Sequence, residues 1–191
     1  MMNLSTKSCQ EAWEYMSKLC ANEPVRNFFQ PLDMSNFVVE TELFPISALT
    51  AYSAWNMGKN LAEDQYQYMN DLRGGSQGDY RDGITQKIDN VVDCLSSFPK
   101  SKRGVITICN NAKPVHSDDE NAKCLRELHL YLDDDNKLSA TILMRAQAAS
   151  LFPKNIHFIG SIMEEVAGRL PKNTALGTVF YLATILVADR S

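Results

Sequence analysis

The stretch CLRELHLYLDDDNKLSATILMRAQAASLFPKN, residues 124–155, decides the fold of this chain. Two apolar runs within it, at 124–132 and 137–146, have the composition of strands. The polar residues 133–136 between them are typical of a tight reversal, so the two strands are expected to pair as a hairpin. A helix is predicted at about 155–169, after the second strand.

The elements predicted outside this stretch favour an α+β domain. Apolar residues recur at helical or strand spacing in each of them, and the helices and strands do not strictly alternate, which argues against a doubly wound parallel sheet. The predicted helices span 7–20, 46–61 and 84–97; the predicted strands span 36–44 and 104–109, and an apolar segment at 174–188 completes the chain.

Length and composition indicate one globular domain over residues 1–191, since 191 residues with 45% hydrophobic content suffice for one core. The net charge of -4 gives no footprint for a nucleic acid polymer. No segment has the apolar length that spans a bilayer, and we expect a soluble cytoplasmic protein. The five cysteines include no CxxC pair, which argues against both a zinc site and a disulfide framework.

Two positions stand out for their chemistry. Cys124 has Lys123 and Arg126 beside it, and nucleophilic cysteines need the thiolate character that neighbouring cations favour. Arg145 lies in an otherwise apolar strand, where a charge requires an anion or a surface. Cys124 could also be a small buried hydrophobe, and Asn155 could be the N-cap of the helix it precedes.

These residues resemble those of the thymidylate synthase family. The similarity rests on Cys124, on Leu138-Ser139 before a strand holding Arg145, and on Pro153-Lys154-Asn155-Ile156 opening a helix. Upstream, the helix that starts after Asp82-Gly83 and the sequence Ser101-Lys102-Arg103-Gly104 continue the likeness, which covers roughly residues 78–188.

The resemblance implies a transferase that acts at C5 of a pyrimidine nucleotide, by methyl or hydroxymethyl transfer. Cys124 would be the nucleophile that adds to C6 of the ring, Arg145 would bind the phosphate, and the Asn155 amide would read a uracil edge. Lys102 and Arg103 would reach the phosphate bound by the partner of a homodimer. Expected ligands are therefore a dUMP-like nucleotide and methylenetetrahydrofolate.

The resemblance also implies a mixed sheet covered by helices on one face, with dimerisation through the other face. The glycine-rich stretch 70–83 is either a flexible connection or an active-site loop carrying Tyr80 and Arg81. In the second case Arg81 is a further candidate for binding the nucleotide. Lys102 and Arg103 could alternatively belong to a solvated turn.

Departures from the family pattern leave other functions open. The segment 46–62 matches the one that holds the family's catalytic glutamate but contains no acidic residue, and 146–150 lacks the aspartate that contacts folate. His129 or His157 could act as acid or base, since imidazole titrates near neutral pH. The alternatives are a catalytically degenerate nucleotide-binding or regulatory module, or a different enzyme on the same scaffold.

Overall fold

The computed structural model describes residues 5–73, 79–108, 123–171 and 174–189. These residues form four α-helices, six strands and short 3-10 turns. The helices are α1 Cys9–Leu19, α2 Ile46–Asn56, α3 Ile84–Ser97 and α4 Phe152–Arg169; the strands are β1 Lys7–Ser8, β2 Val25–Asp33, β3 Val105–Thr107, β4 Leu125–Leu132, β5 Leu138–Ala148 and β6 Leu176–Val187.

All six strands belong to one mixed sheet in the order β1-β2-β6-β5-β4-β3. The hairpin predicted from the sequence is confirmed, because β4 and β5 pair antiparallel with Leu128 opposite Ile142. β5 and β6 are parallel neighbours, and α4 is the helix that connects them. The domain is therefore of mixed α+β class, as the element pattern predicts.

Helix α4 is the centre of the core. It begins at Phe152 with Pro153 in its first turn, where the missing N–H costs nothing. It contacts β5 and β6 as well as each of the other three helices. All residues of its first half, 152–160, are buried, whereas Glu164 and Arg169 of its second half are exposed, so the first half of α4 is the enclosed part.

The two faces of the sheet differ in exposure. In β6 the residues Val179, Tyr181 and Ala183 are fully buried, whereas the alternate residues Phe180 and Leu182 are only partly covered. Phe29 of β2 is 42% exposed and stacks on Phe180 with ring centroids 6.3 Å apart. One face thus forms the core, and the other presents partly exposed apolar side chains.

The predicted strand at 36–44 is wrong. This segment is irregular, and the strand in this part of the chain is β2, at Val25–Asp33. Two residues of types that are rare in strands make β2 hard to find in the sequence. Pro31 has no N–H to donate, and Asn27 takes a positive φ of 54° in the structure. The β-branched and aromatic residues of 36–44 pack on the core instead, with Val39 and Phe44 buried.

The other predicted elements are confirmed with shifted ends. α3 matches its prediction, and α2 ends five residues before the predicted 61. α4 starts at Phe152, so Asn155 lies inside the first turn and is not an N-cap. Cys109 and part of the stretch 70–83 lie outside the described residues. Among the described helices, none combines the length and apolar character needed to cross a membrane.

Candidate functional site

The hairpin brings the Cys124 thiol and the Arg145 guanidinium together. Arg145 donates its backbone N–H to the Cys124 carbonyl at 2.7 Å, and its Nη2 lies 3.8 Å from Cys124 Sγ. The cause is the strand register, in which Leu125 and Met144 are opposite each other. The thiol is partly exposed and the arginine is exposed, so an anion bound to the guanidinium would lie beside the sulfur.

A buried amide network fixes the orientation of Asn155. Gln147 Nε2 donates to the Ala148 carbonyl at 2.5 Å, so the Gln147 carbonyl oxygen must point the other way. That oxygen accepts from the Tyr181 hydroxyl and, at 3.0 Å, from Asn155 Nδ2. The remaining Asn155 oxygen, Oδ1, is buried and has no donor among the described residues.

An unsatisfied buried carbonyl of this kind costs on the order of 1–3 kcal/mol. Asn155 is only 7% exposed, and Gln147 and Tyr181 are almost completely buried. The network cannot turn the amide over without breaking the bond to Gln147. A ligand that satisfies this site must therefore bring an N–H or O–H donor to Asn155 Oδ1.

Two buried phenols, Tyr52 and Tyr181, keep their protons in this part of the domain. Burial raises the pKa of Tyr52 and Tyr181 well above the usual value for a phenol, and negative charge on Tyr80 and then on Cys124 adds to both shifts. Both hydroxyls therefore keep their protons at neutral pH. Tyr181 donates to Gln147, so this phenol belongs to the same hydrogen-bonded network as Asn155.

Helix α2 contributes aromatic and amide groups next to α4. Tyr52 is 5% exposed, and Asn56 Nδ2 donates to its carbonyl at 3.1 Å. Asn56 Oδ1 accepts from the Tyr80 backbone N–H at 2.6 Å, which ties the loop before α3 to α2. The sequence gives little signal for these residues, because α2 also holds Ser47 and Thr50, so that Ser53 and Asn56 do not stand out by type.

Lys154 places a cation beside the same phenol. Its side chain is almost completely buried, Nζ donates to the Arg73 carbonyl at 2.6 Å, and Nζ lies 4.6 Å from the centroid of the Tyr52 ring. A carbonyl and a π-face are both favourable partners for an ammonium group. The proline-lysine-asparagine sequence that opens α4 thus points two consecutive polar side chains into the domain.

Arg81, a predicted nucleotide ligand, is held at the edge of this cluster. Its Nε and Nη2 donate to the two carboxylate oxygens of Asp79 at 2.9 and 2.6 Å, and its guanidinium stacks 3.8 Å from the centroid of Trp55. These bonds hold the pKa of Asp79 below its usual range despite partial burial. A phosphate could use the Arg81 fork only by displacing Asp79.

Lys102, Arg103 and His129 are not brought to Cys124 within one chain. Gly104 accepts from Leu130 N–H at 2.7 Å, so Lys102 and Arg103 lie near the far end of β4. A strand rises about 3.3 Å per residue, which puts this end about 20 Å from Cys124. His129 lies on the exposed surface of β4, 2.8 Å from Glu127.

His157 has a packing role next to the site. Ser53 Oγ lies 2.6 Å from its Nδ1, and the Phe37 ring packs edge-on against the imidazole with ring centroids 5.4 Å apart. Burial lowers the pKa of His157 from 6.5 to about 4. Histidine in the unfolded chain titrates near 6.5, so the unfolded state binds the extra proton first. The stability from neutral His157 is complete above about pH 6.5 and is lost as the pH falls towards about 4.

We therefore expect the free energy of unfolding to fall by about 2 kcal/mol through His157 between about pH 7.5 and pH 5. His157→Asn should lower stability at the higher pH but flatten this part of the pH dependence. Urea titrations at several pH values measure both effects. The matched control is His129→Asn at the exposed histidine; an equal flattening in this control would refute the assignment to His157.

A scan against protein-family models and a search of curated proteins found no match to this chain. The function therefore has to be argued from the site itself.

Proposed function

We propose that this protein binds a pyrimidine nucleotide and that Cys124 adds to C6 of its ring, in a transferase reaction at C5 of the thymidylate synthase type. The observations that carry the proposal are a thiol that contacts a guanidinium and a buried amide whose oxygen lacks a donor among the described residues. A thiol alone is no evidence of catalysis. The thiol requires an electrophilic ligand, the guanidinium an anionic one, and the amide oxygen one whose ring can donate a hydrogen bond.

A uracil nucleotide meets these three requirements. Its phosphate suits the Arg145 guanidinium, which can donate two parallel hydrogen bonds to an oxyanion. Its N3–H is the donor that Asn155 Oδ1 needs, and the neighbouring O4 can accept from Asn155 Nδ2. The bond from Nδ2 to Gln147 uses one of its two hydrogens, so the second can serve O4.

The chemistry follows from addition of the Cys124 sulfur to C6. A C–S bond forms, the C5–C6 double bond is lost, and its electron pair moves through C5 to O4 as an enolate. C5 then attacks the methylene carbon of methylenetetrahydrofolate, the donor that the resemblance implies, and one of the two C–N bonds of that carbon breaks with its electron pair going to nitrogen. C5 loses its proton and the second C–N bond breaks, which releases tetrahydrofolate and leaves a methylene group on C5. In hydroxymethyl transfer water adds to this methylene group; in methyl transfer tetrahydrofolate donates a hydride to it and leaves as dihydrofolate. In both cases the sulfur is expelled from C6, which restores the C5–C6 double bond and frees the enzyme.

The alternative is a nucleotide-binding or regulatory module on the same scaffold. The observation in its favour is that Tyr52, not a carboxylate, occupies the buried face of α2. A phenol whose pKa is raised by burial holds its proton and is a poor base. Binding would then persist through Arg145 and Asn155 without turnover.

The deciding experiment is incubation with 5-fluoro-dUMP followed by intact-mass and peptide mass measurement. We expect an adduct at Cys124, stabilised by methylenetetrahydrofolate, because fluorine at C5 cannot leave as a proton does. Tritium release from C5-labelled dUMP should accompany it. Cys124→Ser should lose the adduct and retain dUMP binding.

Binding of dUMP without adduct or tritium release supports the module instead. If neither dUMP nor dCMP binds the parent protein, both versions are wrong. A wild-type adduct located at a cysteine other than Cys124 would also contradict the proposed nucleophile.

We propose a homodimer through the partly exposed face of the sheet. Phe29 and Leu143 flank Leu182 across three adjacent strands, and Phe180 stacks on Phe29. Contiguous apolar surface of this kind is typical of contact with another protein. Sedimentation equilibrium of the full chain tests it, and a monomer mass across the concentration range would reject the dimer.

A further inference from the structure

A cavity of about 560 Å³ opens where α3 ends and the turn to β3 begins. This volume falls within the range of small-molecule sites in proteins. The Phe98 ring and the aliphatic parts of the basic side chains give it a mainly apolar wall. It is lined by Cys94, Ser97, Phe98, Lys100, Ser101, Lys102 and Arg103.

The charge of the cavity is positive. Within the described parts of the chain, none of its lining residues is acidic, and Lys100, Lys102 and Arg103 form no ion pair. The carbonyl end of α3 supplies only about half a negative charge. Three cations exceed what capping that helix requires, and they stand out in a chain whose net charge is -4.

The turn that carries these cations is held in shape by its own hydrogen bonds. Ser101 N–H donates to the Phe98 carbonyl at 2.8 Å, and Ser101 Oγ accepts from Arg103 N–H at 3.2 Å. Cys94 Sγ lies 3.0 Å from the same hydroxyl oxygen. The basic side chains therefore project from a fixed backbone, and Phe98 remains 62% exposed beside them.

This cavity is separate from the Cys124 site within the chain. Gly104 pairs with Leu130, six residues along β4 from Cys124, so about 20 Å lies between the two places. A nucleoside monophosphate cannot bridge that length. The cavity therefore needs a ligand of its own or a group from another chain.

We propose that the cavity is a second ligand site, which binds a nucleoside phosphate. Its aromatic base stacks on Phe98, where an exposed ring face is available, and its phosphates lie against Lys100, Lys102 and Arg103. The combination of apolar wall and cationic rim fits an amphipathic anion better than a bare inorganic one. The inference goes beyond the proposed function because it uses neither Cys124 nor the reaction.

Cys94 provides a direct readout of occupancy. The full-length protein is treated with iodoacetamide alone, with ATP or with inorganic phosphate, and alkylation of Cys94 and Cys124 is followed by peptide mass measurement. ATP is the probe because a purine does not fit the uracil-reading network at Asn155. We expect ATP to slow Cys94 alkylation at least tenfold and to leave Cys124 unchanged, with much weaker protection by phosphate.

Two variants and a control make the result decisive. Replacing Lys100, Lys102 and Arg103 together with glutamine should abolish the protection by ATP, and Phe98→Ala should weaken it. Lys18→Gln, at an exposed lysine of α1, should leave it intact. Circular dichroism checks that each variant is folded.

The proposal is overturned if ATP fails to protect Cys94, or if phosphate protects as well as ATP does. It is also overturned if the triple variant loses the 5-fluoro-dUMP adduct at Cys124 while ATP gives no protection in the parent protein. That outcome would favour the alternative in which Lys102 and Arg103 bind the nucleotide phosphate held by a partner chain. Failure of the 5-fluoro-dUMP reaction alone would affect the proposed function and not this site.

Discussion

Replacing Arg145 with glutamine is expected to weaken dUMP binding about 10- to 100-fold while leaving deoxyuridine binding almost unchanged. Hydrogen bonds to a charged group contribute about 1.5–3 kcal/mol, which corresponds to this range of dissociation constants. The guanidinium lies against the Cys124 thiol, so the loss should also slow adduct formation by 5-fluoro-dUMP. Calorimetry with both ligands measures the effect as a ratio of affinities.

The ratio of the dUMP affinity to the deoxyuridine affinity reports the contribution of the phosphate alone, because deoxyuridine has the same base and sugar. Arg126→Gln is the matched control: it removes the same charge two residues from Cys124, but the Arg126 Nη1 contacts the Lys123 carbonyl, at 3.5 Å. It should lower the dUMP ratio far less. If both variants lower the ratio equally, the effect is general electrostatics and Arg145 is not the phosphate ligand.

Replacing Gly160 with alanine is expected to destabilise the fold by about 2 kcal/mol. Phe37 packs its ring on this glycine of α4, and a Cβ there would lie 2.6 Å from Cδ1 and closer still to Cγ and Cδ2. Overpacking a buried site typically costs about 1–3 kcal/mol, and the better helix propensity of alanine returns up to about 1 kcal/mol. We expect the upper end of the cost because Phe37 is buried. Urea denaturation of the purified variant measures the change.

Gly168 of the same helix is the internal control. A Cβ at this position would meet nothing within 4 Å, so Gly168→Ala should stabilise the protein by up to about 1 kcal/mol. Phe37→Leu should reduce the penalty of alanine at 160, since it removes the ring that is in the way. If Gly160→Ala stabilises as Gly168→Ala does, Phe37 does not pack on α4 in this way.

The hairpin and α3 could be predicted because their information is local. The runs in β4 and β5 alternate around a polar reversal, and α3 repeats apolar residues at positions that are all buried in the structure. β2 could not be found in this way, because Pro31 and Asn27 give it the local signature of a loop. Its pairing with β6 supplies the hydrogen bonds that propensity does not.

The same division applies to the site. Cys124, Arg145 and Asn155 stand out by residue type and by their places in a recognisable order. Gln147, Tyr52 and Tyr181 do not, since a glutamine in a strand and tyrosines in apolar runs have many ordinary explanations. Only the packing of β5, β6 and α4 joins Gln147 and Tyr181 to Asn155, and only the packing of α2 on α4 brings Tyr52 to Lys154.

Residue types and their spacing are enough to predict the mixed α+β class, the central hairpin and the thiol, arginine and amide that suggest nucleotide chemistry. Tertiary structure alone decided that Arg145 lies against Cys124, that Asn155 Oδ1 is left without a donor among the described residues, and that Lys102 and Arg103 line a separate cavity. The two kinds of information differ in how far along the chain they act. Helix and strand periodicity act over a few residues, whereas hydrogen-bond satisfaction and burial depend on which distant segments meet.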